Sequence, residues 1–496
     1  MPFETQTINL QSKKIQGTSE FAVNTNISLD LEKPLKKILS VKAFADVSTF
    51  ECVDTDLSLS GKAQVTVLYL TENDQYERVV GYADFQNSFK IAGQTTQATV
   101  AVKDISINQS SATEISVSVL LNGMARGVGS QEINPITSLS DEYVSKTKSV
   151  KINQISGCYS DKFVVNETFE MPNAKNILSI DACPKIKTVE ASLDQATVSG
   201  EVDVKILYQT EETINTFTKT LEFRQEISCF GVKAGNQLYV EIQTGSVNAT
   251  LEFGEKTSVV VAVANRINVD AYSEIEFQTI TDLFSLEKEI SSTIDCVAYN
   301  NFVEGSTVSD TVMLTVDNVA ENIDEVVGAV NPVVEVSHLS SGNSTLQVEA
   351  VVKFDLIFKN NQTDSIETKQ IVCPFVSSWQ TENMFNVEEY FAVAKVTNIK
   401  PLAGKNLDVV FELTVVCSSC KENYFEFAQN VQEISAKENS KSAITIYVTK
   451  EGEDIFDVAR ALCVKPEVIE SQNEVVDGKF SGGTRVFVYS PINVEF

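Results

Sequence analysis

The chain has 496 residues, of which 43% are hydrophobic, so it is long enough for three or four domains with ordinary packed cores. Its formal net charge of −29 would repel nucleic acid and an anionic membrane surface, which argues against both as partners. No stretch has the apolar run of a signal peptide or of a membrane span, so the sequence predicts no membrane insertion and a cytoplasmic origin.

One strand-like segment is written twice with few changes. Residues 60–69 read SGKAQVTVLY and residues 199–208 read SGEVDVKILY, and the ILS segment at Ile38 recurs at Ile177 with the same spacing. Residues 351–358, VVKFDLIF, form a third and weaker copy. Because these repeats far exceed the ~20 to 50 residues of solenoid repeats, each copy indicates a domain of its own.

The repeated segment has the alternation of a β-strand with one buried face. All three copies keep the same phase, so the same face of the sheet is predicted to be buried in each. Turn-forming clusters follow at residues 71–75, 209–214 and 359–363 and predict hairpins. The sequence therefore predicts a mainly β protein with three related antiparallel sandwich-like or barrel-like domains, built from short strands and strung in tandem as beads.

The composition places the borders of these domains. We assign β repeat domains to residues 1–148, 149–291 and 292–436, and a polar linker to residues 437–443. The pattern after the linker is no longer that of the repeats, so residues 444–490 are predicted to form a separate, smaller domain.

The small C-terminal domain combines two helices with two strands. From Ile455 onward apolar residues recur at helical spacing, and Asp454 is in position to cap the first turn. Pro466 marks the start of a second helix that ends near Asn473. With a strand on either side, the segment is predicted to be a βααβ domain.

This order resembles the LysM domain, and Tyr447, Gly452, Asn473 and Gly483 stand at marker positions of that family. The resemblance implies a groove between the first strand-to-helix loop and the loop after the second helix, where the family binds N-acetylglucosamine of chitin or peptidoglycan. The implied groove residues are Gly452, Glu453, Asp454, Ile455, Asn473, Val475, Val476, Phe480, Gly482 and Gly483. Glu453 and Asp454 replace the Asp-Thr pair of the family, so a protein and a glycan both stay open as ligands.

Acidic β domains that carry Lys36, the ILS segment and the strand from Gly61 to Tyr69, followed by a LysM domain, resemble the SipL-like spore coat morphogenetic proteins of clostridia. The resemblance implies a non-enzymatic scaffold that is made in the mother-cell cytoplasm and lies at the forespore surface in the spore coat. It also implies that the LysM domain docks a morphogenetic partner, an ATPase of the SpoIVA type. Two alternatives stay open: a wall protein that binds peptidoglycan or cortex, and a self-associating subunit of a spore shell or appendage.

Little in the sequence points to catalysis or to a metal. His338 is the only histidine, which excludes Ser-His-Asp, Cys-His and multi-histidine metal sites within one chain. Cys417 and Cys420 have Cys-x-x-Cys spacing without a second pair, and the nine scattered cysteines favour reduced structural thiols. No Gly-rich phosphate-binding loop is present. We therefore expect no enzyme activity, no cofactor and no bound metal.

Overall fold

Strands make up most of the computed structural model, which describes residues 3–317, 319–342, 345–381, 386–402, 405–437, 443–475 and 478–489. Two helices occur in this part of the chain, and every strand pair described is antiparallel. The predicted mainly β fold is confirmed. Neither helix is long and apolar enough to cross a membrane within the residues that are described.

The elements follow in chain order. The first unit and its connection contain β1 Phe3–Thr5, β2 Ile8–Ser28, β3 Leu35–Val53, β4 Asp56–Thr71, β5 Tyr76–Lys90, β6 Gln97–Ser111, β7 Glu114–Ile133 and β8 Ile136–Leu139. The second unit contains β9 Tyr143–Glu170, β10 Asn176–Ser192, β11 Gln195–Gln209, β12 Ile214–Ser228, β13 Gln237–Glu252 and β14 Ser258–Ser285. The third unit contains β15 Lys288–Val316, β16 Ile323–Gly342, β17 Thr345–Asn360, β18 Ile366–Gln380, β19 Asn386–Pro401 and β20 Leu407–Ala436. The C-terminal domain contains β21 Ile444–Val448, α1 Ile455–Leu462, α2 Pro466–Gln472 and β22 Arg485–Tyr489.

Each of the three units consists of six strands in two three-stranded sheets. The second, third and fourth strands of a unit form one sheet, which we call the hairpin sheet: β3-β4-β5, β10-β11-β12 and β16-β17-β18. The first, sixth and fifth strands form the other, which we call the terminal sheet: β2-β7-β6, β9-β14-β13 and β15-β20-β19. The three units therefore share one topology, as the repeat in the sequence predicts.

The repeated segment is the middle strand of every hairpin sheet. Val65, Val204 and Phe354 on its inward face are at most 1% exposed and pack in the core of their own unit. The turns that the sequence predicts separate this strand from the next one in all three units. The shared phase of the three copies is thus confirmed.

The strands are longer than the short strands that the sequence predicts. β9 and β14 each have 28 residues and pair along almost their whole length, and β20 has 30 residues. Beyond the sandwich of each unit the extended ends pack on those of the other units, with Ile152, Phe277 and Phe427 in one cluster. Because neighbouring units bury these extensions, the strands continue past the predicted borders: β9 and β15 begin before residues 148 and 291.

The units pack against one another, so the expectation of separate beads is wrong. Leu68, Leu207 and Ile357 lie on the outward face of the repeated strand, yet each is at most 3% exposed. They meet in one hydrophobic cluster to which all three units contribute. This axial cluster consists of Leu39, Leu68, Leu70, Tyr76, Leu178, Leu207, Val330 and Ile357.

Two equivalent interfaces join successive units. In the first, the Gln64 amide on β4 donates to the carbonyl oxygen of Val247 on β13 and accepts from its backbone N–H, both at 3.1 Å. In the second, Lys205 on β11 donates to the carbonyl oxygen of Val396 on β19 at 3.1 Å. In both interfaces the hairpin sheet of one unit contacts the fifth strand of the next unit.

Candidate binding surface of the C-terminal domain

The C-terminal domain has the predicted βααβ order. β21 pairs antiparallel with β22, and the two helices pack on this small sheet around Phe456, Ile469 and Val486. Pro466 begins α2, where its fixed φ suits the first turn and its missing N–H is no loss. The order of elements is confirmed, and it brings the two loops of the predicted groove to one end of the domain.

Asp454 caps the first helix. Its carboxylate accepts from the backbone N–H of Asp457 at 3.0 Å, and the Asp457 carboxylate accepts in return from the Asp454 N–H at 3.1 Å. The ammonium of Lys146, on β9 of the second unit, also donates to Asp454. Burial raises the pKa of Asp454, but the hydrogen bonds from Lys146 and the Asp457 N–H outweigh it and lower that pKa. This carboxylate is therefore engaged in the fold of the domain.

Glu453 is engaged in the same way. Its carboxylate accepts from the backbone N–H of Lys450 at 2.7 Å and from the Tyr447 hydroxyl at 2.8 Å. The backbone bond from Lys450 comes first among the causes that lower the pKa of Glu453. The two acidic residues of the predicted groove thus organise its lip and do not project from it as unengaged charges.

Backbone hydrogen bonds tie the two predicted loops together. The N–H of Ile455 donates to Gly478 at 3.0 Å, and the N–H of Phe480 donates to Glu453 at 3.3 Å. The Phe480 side chain is 7% exposed and packs in the core of the domain. The structure therefore places these loops side by side but gives Phe480 a packing role.

Glycines form the rim of this region. Gly452 has a φ of 87° and Gly483 a φ of 83°, a left-handed conformation that glycine adopts at little cost. Both are exposed, as is Gly482, where an added Cβ would meet the Glu451 backbone at 3.2 Å. Three of the predicted groove residues thus form an exposed rim without side chains.

Asn473 connects α2 to β22. Its side chain accepts from the N–H of Phe487 and donates to the carbonyl oxygen of the same residue, both at 2.8 Å. It acts as an additional backbone partner for an edge strand, which is a structural role. Val475 is half-buried against the core, and Val476 lies outside the described residues.

The domain is docked on the second unit. The ring of Phe456 on α1 packs edge-on against Phe284 of β14, with centroids 5.2 Å apart. Lys437 donates to the carbonyl oxygen of Ser285 at 2.8 Å, and Lys146 reaches Asp454 from β9. The end of the β9-β14 ribbon therefore borders the predicted groove, a contact that the local sequence pattern does not reveal.

An apolar stripe faces outward on the small sheet. Ile444, Ile446 and Val448 alternate along β21 and are 55%, 57% and 57% exposed, and Tyr489 on β22 is 53% exposed. Contiguous apolar surface of this kind marks contact sites in soluble proteins. The alternation of these residues is visible in the sequence. Which face of β21 points outward is not, because that depends on its pairing with the second strand.

The other residue types singled out in the sequence do not assemble into a site. His338 is exposed, and in the described part of the chain no group of three His, Cys, Asp or Glu side chains could hold a metal. Cys417 lies in the core of the third unit, where burial raises the pKa of its thiol to about 12. Cys420 lies in a different cluster, between units. The two thiols of the Cys-x-x-Cys motif therefore lie in different environments.

Residues 173–252 match a protein family described as SipL, SPOCS domain. The match runs from the turn before β10 to the end of β13, and so covers the hairpin sheet and the fifth strand of the second unit. Searches of curated proteins and of solved structures gave no match to the chain. The match relates this part of the second unit to the SPOCS domain of SipL.

Proposed function

We propose that this protein is a non-enzymatic scaffold of the spore coat. The match of residues 173–252 to the SipL SPOCS domain is the observation that carries this proposal. Three packed β units provide a broad acidic surface, and a docked C-terminal domain of LysM type provides the anchoring contact. A scaffold of this kind acts from the mother-cell side of the forespore surface.

The proposed partner of the C-terminal domain is a morphogenetic ATPase of the SpoIVA type. Glu453 and Asp454 each accept two hydrogen bonds within the protein, so neither carboxylate is fully available to sugar hydroxyls. The outward stripe of Ile444, Ile446 and Val448 suits the apolar centre of a protein interface. Both observations support a protein ligand.

Peptidoglycan is the second candidate ligand. It is supported by the adjacency of the two loops that the LysM resemblance assigns to the glycan groove, which are held together by the bonds at Ile455 and Phe480. A wall protein would bind the glycan in this groove and would not use the apolar stripe on β21.

Binding assays with the full chain separate these functions, and two charge-reversal variants test the binding surface. Lys479 is exposed on the groove lip, where its backbone pairs with that of Asp454, and Lys465 is exposed beyond the opposite end of α1. We expect the wild-type chain to bind a purified SpoIVA-type ATPase in biolayer interferometry and to stay in solution when peptidoglycan is pelleted. Lys479→Glu should weaken ATPase binding about tenfold, and Lys465→Glu should leave it unchanged.

The opposite pattern, with the chain pelleting with peptidoglycan and ignoring the ATPase, would support the wall protein. Binding to neither would contradict both functions of the C-terminal domain. Circular dichroism of the two variants serves as the control for folding, since both lysines are exposed.

A further inference from the structure

The interface between the third unit and the first differs from the two interfaces between successive units, because it contains an open cleft. In the first two interfaces the hairpin sheet of one unit contacts the fifth strand of the next, β13 or β19. The corresponding third interface would place the hairpin sheet β16-β17-β18 against β6, the fifth strand of the first unit. A cleft of about 750 Å³ lies there.

Apolar residues of two different units are part of the lining of the cleft. Val102, Ile105 and Ile107 of β6 line one wall, and Val333 and Val334 of β16 line the other. Ile107 is 39% exposed and Val333 is 53% exposed, although both lie on strands of packed sandwiches. Residues of β3, of β17 to β19 and of the second unit complete the lining. Ile107 and Val333 therefore present apolar surface at the cleft, while Val102, Ile105 and Val334 also pack against the core of their own unit.

Polar contacts join the first and third units beside the cleft. At the axial end, Ser40 of the first unit donates to the Asp355 carboxylate of the third unit at 2.5 Å, and Asn331 donates to the carbonyl oxygen of Val41 at 3.2 Å. Farther along β19, Glu389 pairs with Lys13 of the first unit. Direct bonds at Ser40, Asn331 and Lys13 therefore join the first and third units, although the cleft separates β6 from the hairpin sheet.

Comparison of the three repeats shows which contact between units is missing at the cleft. Gln64, Asp203 and Lys353 occupy the same outward position of the repeated strand. Gln64 bonds to the backbone of β13, and Asp203 pairs with Lys395 of β19 at 3.1 Å. Lys353 lines the cleft and pairs with Glu335 of its own unit at 2.6 Å. The residue that joins units at the first two interfaces therefore faces open space at the third.

The backbone at the cleft is suited to an added strand. β6 and β16 are both edge strands of their sheets, and edge strands offer backbone donors and acceptors to an extended peptide. The volume of about 750 Å³ falls within the range of roughly 300 to 1,000 Å³ that is usual for ligand clefts. At the two closed interfaces the hairpin sheet contacts the fifth strand directly, whereas at the third the cleft separates them.

We propose that the cleft between the first and third units binds an extended peptide segment of a partner protein, with apolar residues at alternate positions. The segment lies between the hairpin sheet of the third unit and β6, and its apolar side chains pack between Ile107 and Val333. A carboxylate or amide on it reaches Lys353. Lysines flanking the segment favour association with a chain of net charge −29. This site is separate from the C-terminal domain and adds a second partner to the scaffold.

The test uses the full chain and a labelled synthetic peptide that carries the sequence of β13, QLYVEIQTGSVNATLE, flanked by lysines. We expect saturable binding in fluorescence anisotropy and no binding of a scrambled peptide of the same composition. Val333→Glu should weaken the binding at least tenfold. Val164→Glu is the matched control, because Val164 is 55% exposed on β9 of the second unit, and it should leave the affinity unchanged.

Hydrogen exchange of the wild-type chain gives a readout that does not depend on the variants. Addition of the peptide should protect backbone amides of β6 and β16. Lack of binding, equal loss in both variants, or protection elsewhere would overturn the proposal. A concentration-dependent dimer in sedimentation velocity that Val333→Glu abolishes would also overturn it, by placing a second copy of this chain in the cleft.

Discussion

The Ser-Gly pair that opens the repeated strand illustrates what a single residue contributes. A Cβ on Gly61 would lie 2.2 Å from the carbonyl oxygen of Asp46, and a Cβ on Gly200 would lie 2.2 Å from that of Lys185. In both units a phenylalanine ring closes the other side of the glycine. The neighbouring strand bulges at this point, so its backbone approaches the glycine too closely for any side chain.

Gly200→Ala should therefore destabilise the protein. The neighbouring backbone has to shift to admit the methyl group, which costs about 1 to 3 kcal/mol of the free energy of unfolding. Gly342→Ala is the control, because an added Cβ there has no atom within 4 Å and its φ is not positive. Thermal denaturation followed by circular dichroism should show a lower Tm for Gly200→Ala only, and an equal Tm in the two variants would contradict this role.

The sequence predicts the inward face of the repeated strand but misses the role of its last outward residue. The phase of Val65, Val204 and Phe354 follows from alternation alone, since each unit must bury one sheet face. Leu68 and Leu207 break the polar pattern of the outward face, and this break is the signal that another unit covers them. Its meaning depends on contacts between distant parts of the chain, which a local pattern cannot supply.

At the scale of one element, α1 shows how a cap can serve two purposes. Helical periodicity and the position of Asp454 predict where the helix begins, and the structure confirms both. The same carboxylate also receives a hydrogen bond from Lys146, which lies far away in the sequence. The cap could be predicted because it is local, and the docking could not because it depends on the fold of the second unit.

Substitutions at Asp454 can separate the two purposes. Asp454→Ala removes the cap and the ion pair and should cost about 1 kcal/mol or more, whereas Asp454→Asn keeps a good cap and should cost little. Lys146→Ala removes only a largely exposed ion pair and should cost about 0 to 1 kcal/mol. Hydrogen exchange of the α1 amides measures these effects. Equal exchange rates for Asp454→Ala and Asp454→Asn would show that capping contributes nothing.

At the scale of the whole molecule, charged contacts between units make stability depend on pH. Asp203 of the second unit accepts from Thr220 at 2.7 Å, from Lys185 at 2.9 Å and from Lys395 of the third unit at 3.1 Å. Burial raises the pKa of Asp203, but these bonds outweigh it and lower that pKa to about 2. A pKa below the unfolded value of 3.8 stabilises the folded state above that pH, and this contribution is lost as the pH falls towards about 2.

Asp203→Asn should therefore destabilise the protein in a pH-dependent way. At pH 7 we expect a loss of about 2 kcal/mol, the scale of hydrogen bonds to a charged group. The difference from the wild type should shrink between about pH 4 and pH 2, where the wild-type carboxylate takes up its proton. Urea denaturation at several pH values measures it. A difference that stays constant over this range would place the stabilising effect elsewhere.

The axial cluster also bears on how many peptide segments the proposed cleft could take. Three separate copies of a unit, each exposing the equivalents of Leu178 and Leu207, would have to assemble around the same contacts and would form three identical junctions. Tethering the copies in one polypeptide removes this symmetry, because each copy can diverge at its own junction. Two junctions can then be closed by contacts within the chain while the third is not, so the proposed cleft would take one peptide segment for each chain.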